Sequence, residues 1–233
     1  MNVLSPDRLR LADHLRAGDH IVLSEAVGEP QTLAELLVSQ RADLQRPRLF
    51  FGVGASTTFQ PEHADHLDFS GTGAAMTYRP LIRAGVMSVV SQHFSDLPRL
   101  LRSGQLRCDV VMIQVSAPNE RGEYSYGLSC DYLRAAMSQA RLVIAEVNDQ
   151  LPQTPCAHPL MAQDIDLAIH TSRPPIEWPA APLGDVEQRI ARQVAELIPD
   201  RATFQMGLGA LPEALCSALV NHRDLGIHSG MLG

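Results

Sequence analysis

Short, continuous apolar runs recur along the chain, separated by segments whose apolar residues fall at helical spacing. The runs occupy residues 20–23, 49–53, 86–90, 110–115, 142–147 and 165–169. Because apolar and polar residues do not alternate within them, each predicts a strand covered on both faces, as in a parallel sheet between helices. Helices are predicted around Leu33, Leu36 and Leu37, after the Gly28-Glu29-Pro30 turn, and over residues 78–84, 96–102 and 132–140. At the start, Ser5 supplies a cap and Pro6 a first turn. Leu9, Ala12 and Leu15 then repeat at helical spacing until Gly18, which predicts a helix over this stretch. Strands alternating with helices define an α/β fold with a mostly parallel sheet flanked by helices.

Residues 173–183, RPPIEWPAAPL, interrupt the alternation with four prolines. Proline neither continues a helix nor donates to a strand ladder, so this stretch is expected to be a linker between a domain at 1–172 and a new unit at 184–233. The new unit predicts a helix through Val186, Ile190, Val194 and Leu197, then a strand at 202–206. Gly207-Leu208-Gly209-Ala210-Leu211-Pro212 follows, then a second helix and the run Leu225-Gly226-Ile227-His228. Two parallel strands leave their edges and faces uncovered, so this unit is expected to be the incomplete opening of a larger domain.

Composition narrows the chemistry. With 233 residues, 45% of them hydrophobic and 19% charged, the chain has enough apolar material for a sizeable core. A net charge of −7, with scattered basic residues, argues against nucleic acid as a partner. All 19 basic residues are arginine, so neither a lysine Schiff base nor a phosphate-binding P-loop lysine is available from this chain. Cys108, Cys130, Cys156 and Cys216 form no C-x-x-C pair and are expected to be reduced and mostly buried. The N-terminal MNVLSPDRLR is charged where a secretory signal needs an apolar run, and no stretch approaches the roughly 20 apolar residues of a membrane span. A cytoplasmic location without membrane association is expected.

Three glycine pairs follow apolar runs or sit in loops: Gly52-x-Gly54, Gly71-x-Gly73 and Gly207-x-Gly209. Such turns can present backbone N–H groups to an anion, or can simply be tight turns. Pro212 replaces the third glycine of a dinucleotide site, and the pair at Gly207 stands out by leading directly from strand to helix. His63 and His66 have H-x-x-H spacing without an evident further ligand, so a solvated acidic loop is expected and no metal site is assigned. His228-Ser229 lacks the flanks of a serine nucleophile elbow. Asp96 and Asp185 are placed as helix-entry residues. Glu146 lies near the end of an apolar strand, where it is either a site acid or a structural hydrogen-bonder.

Several segments, in this order and spacing, resemble the acetyl-CoA hydrolase/transferase family, which includes 4-hydroxybutyrate CoA-transferases. They are DVVMIQVS at 109–116, Pro118-Asn119-Glu120-Arg121-Gly122, Ser125-Tyr126-Gly127-Leu128-Ser129, LVIAEVND at 142–149 with Leu151-Pro152, Ile165-Asp166, FQMGLGALP at 204–212 and LGIHS at 225–229. The resemblance implies two related α/β domains of the CoA-transferase (NagB/RpiA-like) fold, with residues 184–233 opening the second. It implies an acyl-CoA hydrolase or acyl-CoA:carboxylate CoA-transferase. Coenzyme A is then a substrate, no cofactor is bound, and a small carboxylic acid is the acceptor. A homodimer or a missing C-terminal half completes the site.

In the family a glutamate attacks the thioester, forms a mixed anhydride and then carries CoA as a glutamyl thioester. The resemblance places CoA and oxyanion contacts at Gln205, Gly207, Gly209, Ala210 and Leu211. The glutamate belongs between a His-Ser pair and a methionine, where this chain reads His228-Ser229-Gly230-Met231. Glycine has no carboxylate, so the catalytic nucleophile is unassigned. A non-catalytic CoA-binding or subunit-like protein is the alternative expectation.

Overall fold

The computed structural model describes residues 1–73, 77–178 and 182–231. The chain divides into two compact units, Met1–Glu177 and Trp178–Gly233. In the first, eight strands among the described residues form one sheet: β1 (Asn2–Leu4), β2 (His20–Leu23), β3 (Arg48–Phe51), β4 (Asp68–Gly71), β5 (Met87–Val89), β6 (Val110–Ser116), β7 (Leu142–Asn148) and β8 (Leu167–Thr171). Their order is β1-β8-β7-β6-β2-β3-β4-β5, and every pairing is parallel.

The sheet is filled from both sides because its strands are apolar on both faces. Ile21, Leu49, Phe51, Met112 and Ile144 pack on one side with Leu33 and Leu37 of α1 (Gln31–Ser39) and Leu81 of α2 (Arg79–Arg83). Val22, Phe50, Val111, Ile113 and Val143 pack on the other with Leu97 and Leu101 of α3 (Leu97–Arg102) and Leu133 of α4 (Leu133–Met137). Every residue of β6 is buried, as its unbroken apolar run requires of a central strand.

Four expectations need correction. The first predicted helix is instead two short 3₁₀ turns, Pro6–Arg8 and Leu11–Asp13. Leu9 and Leu11 are both buried, a spacing no single helix face provides. The Gln40 side chain grips the chain between them, donating to the Leu9 carbonyl at 2.8 Å and accepting from the Leu11 N–H at 2.8 Å. Next, β1 and β4 carried too little apolar signal to be predicted. β1 is an edge strand on β8, and β4 is held between β3 and β5, with Ser70 Oγ donating to the Leu49 carbonyl. The segment containing His63 has no buried residue, as expected of a solvated acidic loop, but it is wound into a 3₁₀ turn, Pro61–Asp65, and His63 Nδ1 accepts the Gln60 N–H as part of its cap. Finally, only Cys108 is buried; Cys130, Cys156 and Cys216 are half-exposed because they sit on loops and an outer helix rather than in the sheet.

The second unit contains α5 (Asp185–Ala195), β9 (Thr203–Phe204), α6 (Ala210–Ala218) and β10 (Gly226–Ile227), with β9 and β10 parallel. Its α5 buries Ala191 and Ala195, while Val186 and Ile190 of the predicted apolar stripe lie on the surface and Leu197, just beyond the helix, is 82% exposed. Two helices and two short strands cannot cover every apolar face they present. The part of the predicted linker at 179–181 lies outside the described residues.

Candidate active site

The path of the chain through the sheet marks one crevice in the first unit. From β2 the strands step outward to β5; the chain then returns to place β6 on the other side of β2 and steps outward to β8. The carboxyl ends of β2 and β6 therefore flank a topological switch point, the usual ligand position in an open parallel sheet. Buried polar side chains collect along this edge: Glu25 and Glu29 after β2, Gln114 and Ser116 on β6, and Glu146 and Asn148 on β7.

Glu25 is 5% exposed and leaves β2 just before Ala26, whose φ is +50°. One carboxylate oxygen accepts the Val53 N–H at 2.6 Å, and a Cβ at position 52 would overlap that oxygen. Gly52 is therefore required by the acid, which explains half of one glycine pair. The Gly52 N–H donates to the Tyr132 hydroxyl, which in turn donates to the Leu23 carbonyl. Burial, and then the negative charge of Asp131, push the Glu25 carboxyl up to about 8; the Val53 N–H opposes them.

Glu29 accepts the Ser56 hydroxyl at 2.6 Å and the Tyr78 hydroxyl at 3.2 Å. Burial raises its proton affinity, with those two donors working against it. Glu146 has a structural task. It accepts the Thr32 N–H at 2.8 Å, the Leu33 N–H at 3.3 Å, and the hydroxyls of Thr32 and Thr171. It thereby caps α1, whose own N-cap residue, Pro30, offers no side-chain bond. Burial pushes its carboxyl up, and these donors pull it back. Asn148 bridges onward, donating to Gln114 Oε1 and the Arg173 carbonyl, while the Arg173 guanidinium forks onto Glu35 at 3.0 Å.

The second unit supplies the residues singled out in the sequence. Gln205 follows β9 and turns its amide onto the Met206 carbonyl at 3.0 Å. Gly207 packs near Pro212, and Gly209, at φ +111°, is the N-cap of α6. That backbone conformation strongly favours glycine. The first intrahelical bond runs from the Glu213 N–H to the Gly209 carbonyl at 3.2 Å, so the Ala210 and Leu211 N–H groups precede the ladder, at the helix end where unpaired donors collect. Ser229, at the end of β10, ties this turn to the next loop. Its hydroxyl accepts the Met206 N–H at 3.3 Å and stands 3.0 Å from the Met206 carbonyl and 2.6 Å from that of Met231. A Cβ at Gly230 would meet nothing within 4 Å. Thus Gly207–Gly209 and Ser229–Gly230 are brought together by the β9–β10 pairing.

The acids at Glu25 and Glu29 were missed in the sequence because both follow a strand end and read as turn residues; Gly52 was the only local trace of Glu25. Among the described residues no group of three His, Cys, Asp or Glu side chains is placed to hold a metal ion.

A parallel α/β sheet of this topology is the architecture of CoA-transferases. RipA of Yersinia pestis superimposes with a TM-score of 0.90 at 26% identity, over 99% of this chain and 56% of its own. The 4-hydroxybutyrate CoA-transferase of Porphyromonas gingivalis gives a TM-score of 0.77 at 31% identity, over 99% of this chain and 54% of its own. Residues 5–173 match the acetyl-CoA hydrolase/transferase N-terminal domain, and the chain belongs to that family. It is 34% identical over 214 residues to the 4-hydroxybutyrate coenzyme A transferase of Clostridium kluyveri, covering 91% of this chain and 50% of that protein. The chain spans about half the length of the curated relatives it matches.

Proposed function

We propose that this chain forms part of an acyl-CoA hydrolase or acyl-CoA:carboxylate CoA-transferase acting on thioesters of the acetyl-CoA or 4-hydroxybutyryl-CoA type. The observation that carries the reading is the glycine turn into α6, where Gly209 at φ +111° caps the helix and leaves the Ala210 and Leu211 N–H groups ahead of the first intrahelical bond. Preorganised donors of this kind stabilise the oxyanion formed when a thioester carbonyl is attacked. Coenzyme A is the substrate, with a small carboxylic acid or water as acceptor. In this reading residues 1–172 are the N-terminal domain, 173–183 the linker and 184–233 the opening of a second CoA-transferase domain. Relatives twice this length support a further half, or a second copy of the chain, as the completing part. A cytoplasmic setting fits the substrates, and no described helix is long and apolar enough to cross a membrane. The transferase names of the relatives favour an enzyme over a protein that only binds CoA.

Gly230 sets the expected behaviour. Without a carboxylate at that position no glutamyl-CoA thioester forms there. Water attack on a thioester polarised by the α6 amides is slow, since one oxyanion donor contributes about 10²–10³ in rate. Incubation with acetyl-CoA followed by peptide mass spectrometry is expected to show no CoA adduct at position 230 in the wild type. The Gly230→Glu variant, whose Cβ would meet nothing within 4 Å, is expected to carry one. Robust carboxylate-dependent CoA exchange by the wild type, with no gain in the variant, overturns the claim that this glycine disables the standard route.

A further inference from the structure

One cavity of the first unit is lined by charges that the chain leaves unpaired. It measures about 420 Å³ and opens between α4, the start of β7 and the loop that leads into β8. Met137, Val143 and Leu160 give it an apolar wall. Four arginine and aspartate side chains reach it, and two of these are already committed. The Arg141 guanidinium holds the Asp19 carboxylate and the His14 carbonyl, and Asp166 accepts the Val143 N–H at 2.8 Å.

The other two are Arg134 and Asp164. Arg134 belongs to α4, which is anchored by the buried side chains of Leu133, Ala135 and Ala136. Among the described residues its guanidinium makes no hydrogen bond or ion pair. Asp164 is fixed by the 3₁₀ turn Ala162–Asp164, where one carboxylate oxygen accepts the Met161 N–H at 2.8 Å. Its other oxygen accepts nothing among the described residues. The two opposite charges thus line one cavity from separately anchored segments without closing on each other. Tyr126, only 3% exposed, adds a hydroxyl that donates to the Met137 thioether at 3.7 Å, so its oxygen is left to accept.

We propose that this cavity binds an α-amino acid with an apolar side chain, in its zwitterionic form. The Arg134 guanidinium takes the carboxylate, which its planar fork matches with two N–H donors. The unbonded Asp164 oxygen and the Tyr126 oxygen take the ammonium. The apolar side chain lies along Met137, Val143 and Leu160. A simple anion would leave Asp164 unmatched beside it, and a simple cation would do the same to Arg134; a ligand carrying both charges offsets both. The volume falls within the range of small-molecule sites, about 300–1,000 Å³. The cavity adjoins the amino end of β7, whereas the switch-point crevice lies at the carboxyl ends of β2 and β6, so the proposal does not depend on the thioester chemistry.

Calorimetric titration of the full chain with leucine and with phenylalanine tests this, beside analogues that lack one charge. Isocaproate and hydrocinnamate lack the ammonium; isoamylamine and phenethylamine lack the carboxylate. Saturable binding is expected for at least one of the two amino acids. Its analogues are expected to bind about tenfold more weakly or worse, since each loses one charge-assisted contact. Arg134→Gln and Asp164→Asn are each expected to weaken the amino acid by about tenfold. Both positions are exposed, and the asparagine still accepts the Met161 N–H. No saturation with either amino acid at millimolar concentration overturns the proposal, as does equal affinity for a singly charged analogue, or unchanged affinity in either folded variant. The analogue series decides the matter even if a variant does not fold.

Discussion

Glu25 shows how a single side chain converts an ordinary carboxylic acid into a group that titrates near neutrality. It follows a central strand, fills the space left by Gly52 and lies in the field of the Asp131 charge. In the unfolded chain it loses its proton near 4.5, but in the folded chain only near 8. The folded state therefore holds an extra proton between those values. The stability Glu25 contributes is complete below pH 4.5 and declines through the window up to about 8. The slope from this group is about 1.4 kcal/mol per pH unit, and it flattens above the window. Glu25→Gln keeps an acceptor for the Val53 N–H and cannot ionise. The gap in melting temperature, variant minus wild type, is expected to widen steadily as the pH is raised across this window. Parallel melting curves for the two proteins at every pH would show that Glu25 is already ionised in the fold. None of this was legible locally: Ser24-Glu25-Ala26 reads as a polar turn, and only the return of residues 52–53 and 131 gives the acid its character.

At the scale of an element, α1 shows what spacing reveals and what it conceals. Leu33, Leu36 and Leu37 predicted the helix, and the structure places it over Gln31–Ser39. Its start is held from a distance by Glu146, more than a hundred residues along the chain. The sequence left Glu146 open between a site acid and a structural bond; its four donors identify the latter role. Glu146→Ala is expected to destabilise the protein by about 3 kcal/mol, because it strands two backbone N–H groups and two hydroxyls at a buried helix end. Urea unfolding followed by circular dichroism measures it as a lower midpoint with an unchanged slope. A loss under about 0.5 kcal/mol would mean that water replaces the carboxylate. The opposite lesson comes from Leu9, Ala12 and Leu15: three apolar residues at helical spacing were outweighed by one long-range contact from Gln40.

For the whole molecule, the proline-rich stretch at 173–183 remains the expected site of first proteolysis. Arg173 is pinned by Asn148 and Glu35, whereas Glu177 is exposed and ends the first compact unit. A glutamate-specific protease is therefore expected to cut after Glu177 well before it reaches Glu146, which is fully buried in β7. Early cleavage at Glu146 would show that the sheet opens before the linker does. The α/β class, all six predicted strands of the first unit within a residue or two of their observed ends, and the family itself were determined by the sequence alone. Those properties rest on local apolar runs and on motifs contiguous along the chain. The tertiary structure decided the strand order, the β2–β6 switch point, the capping role of Glu146 and the proton held on Glu25. Each of these depends on groups far apart in sequence, whose mutual distance sets burial, hydrogen bonding and charge, and no local pattern of residues encodes that distance.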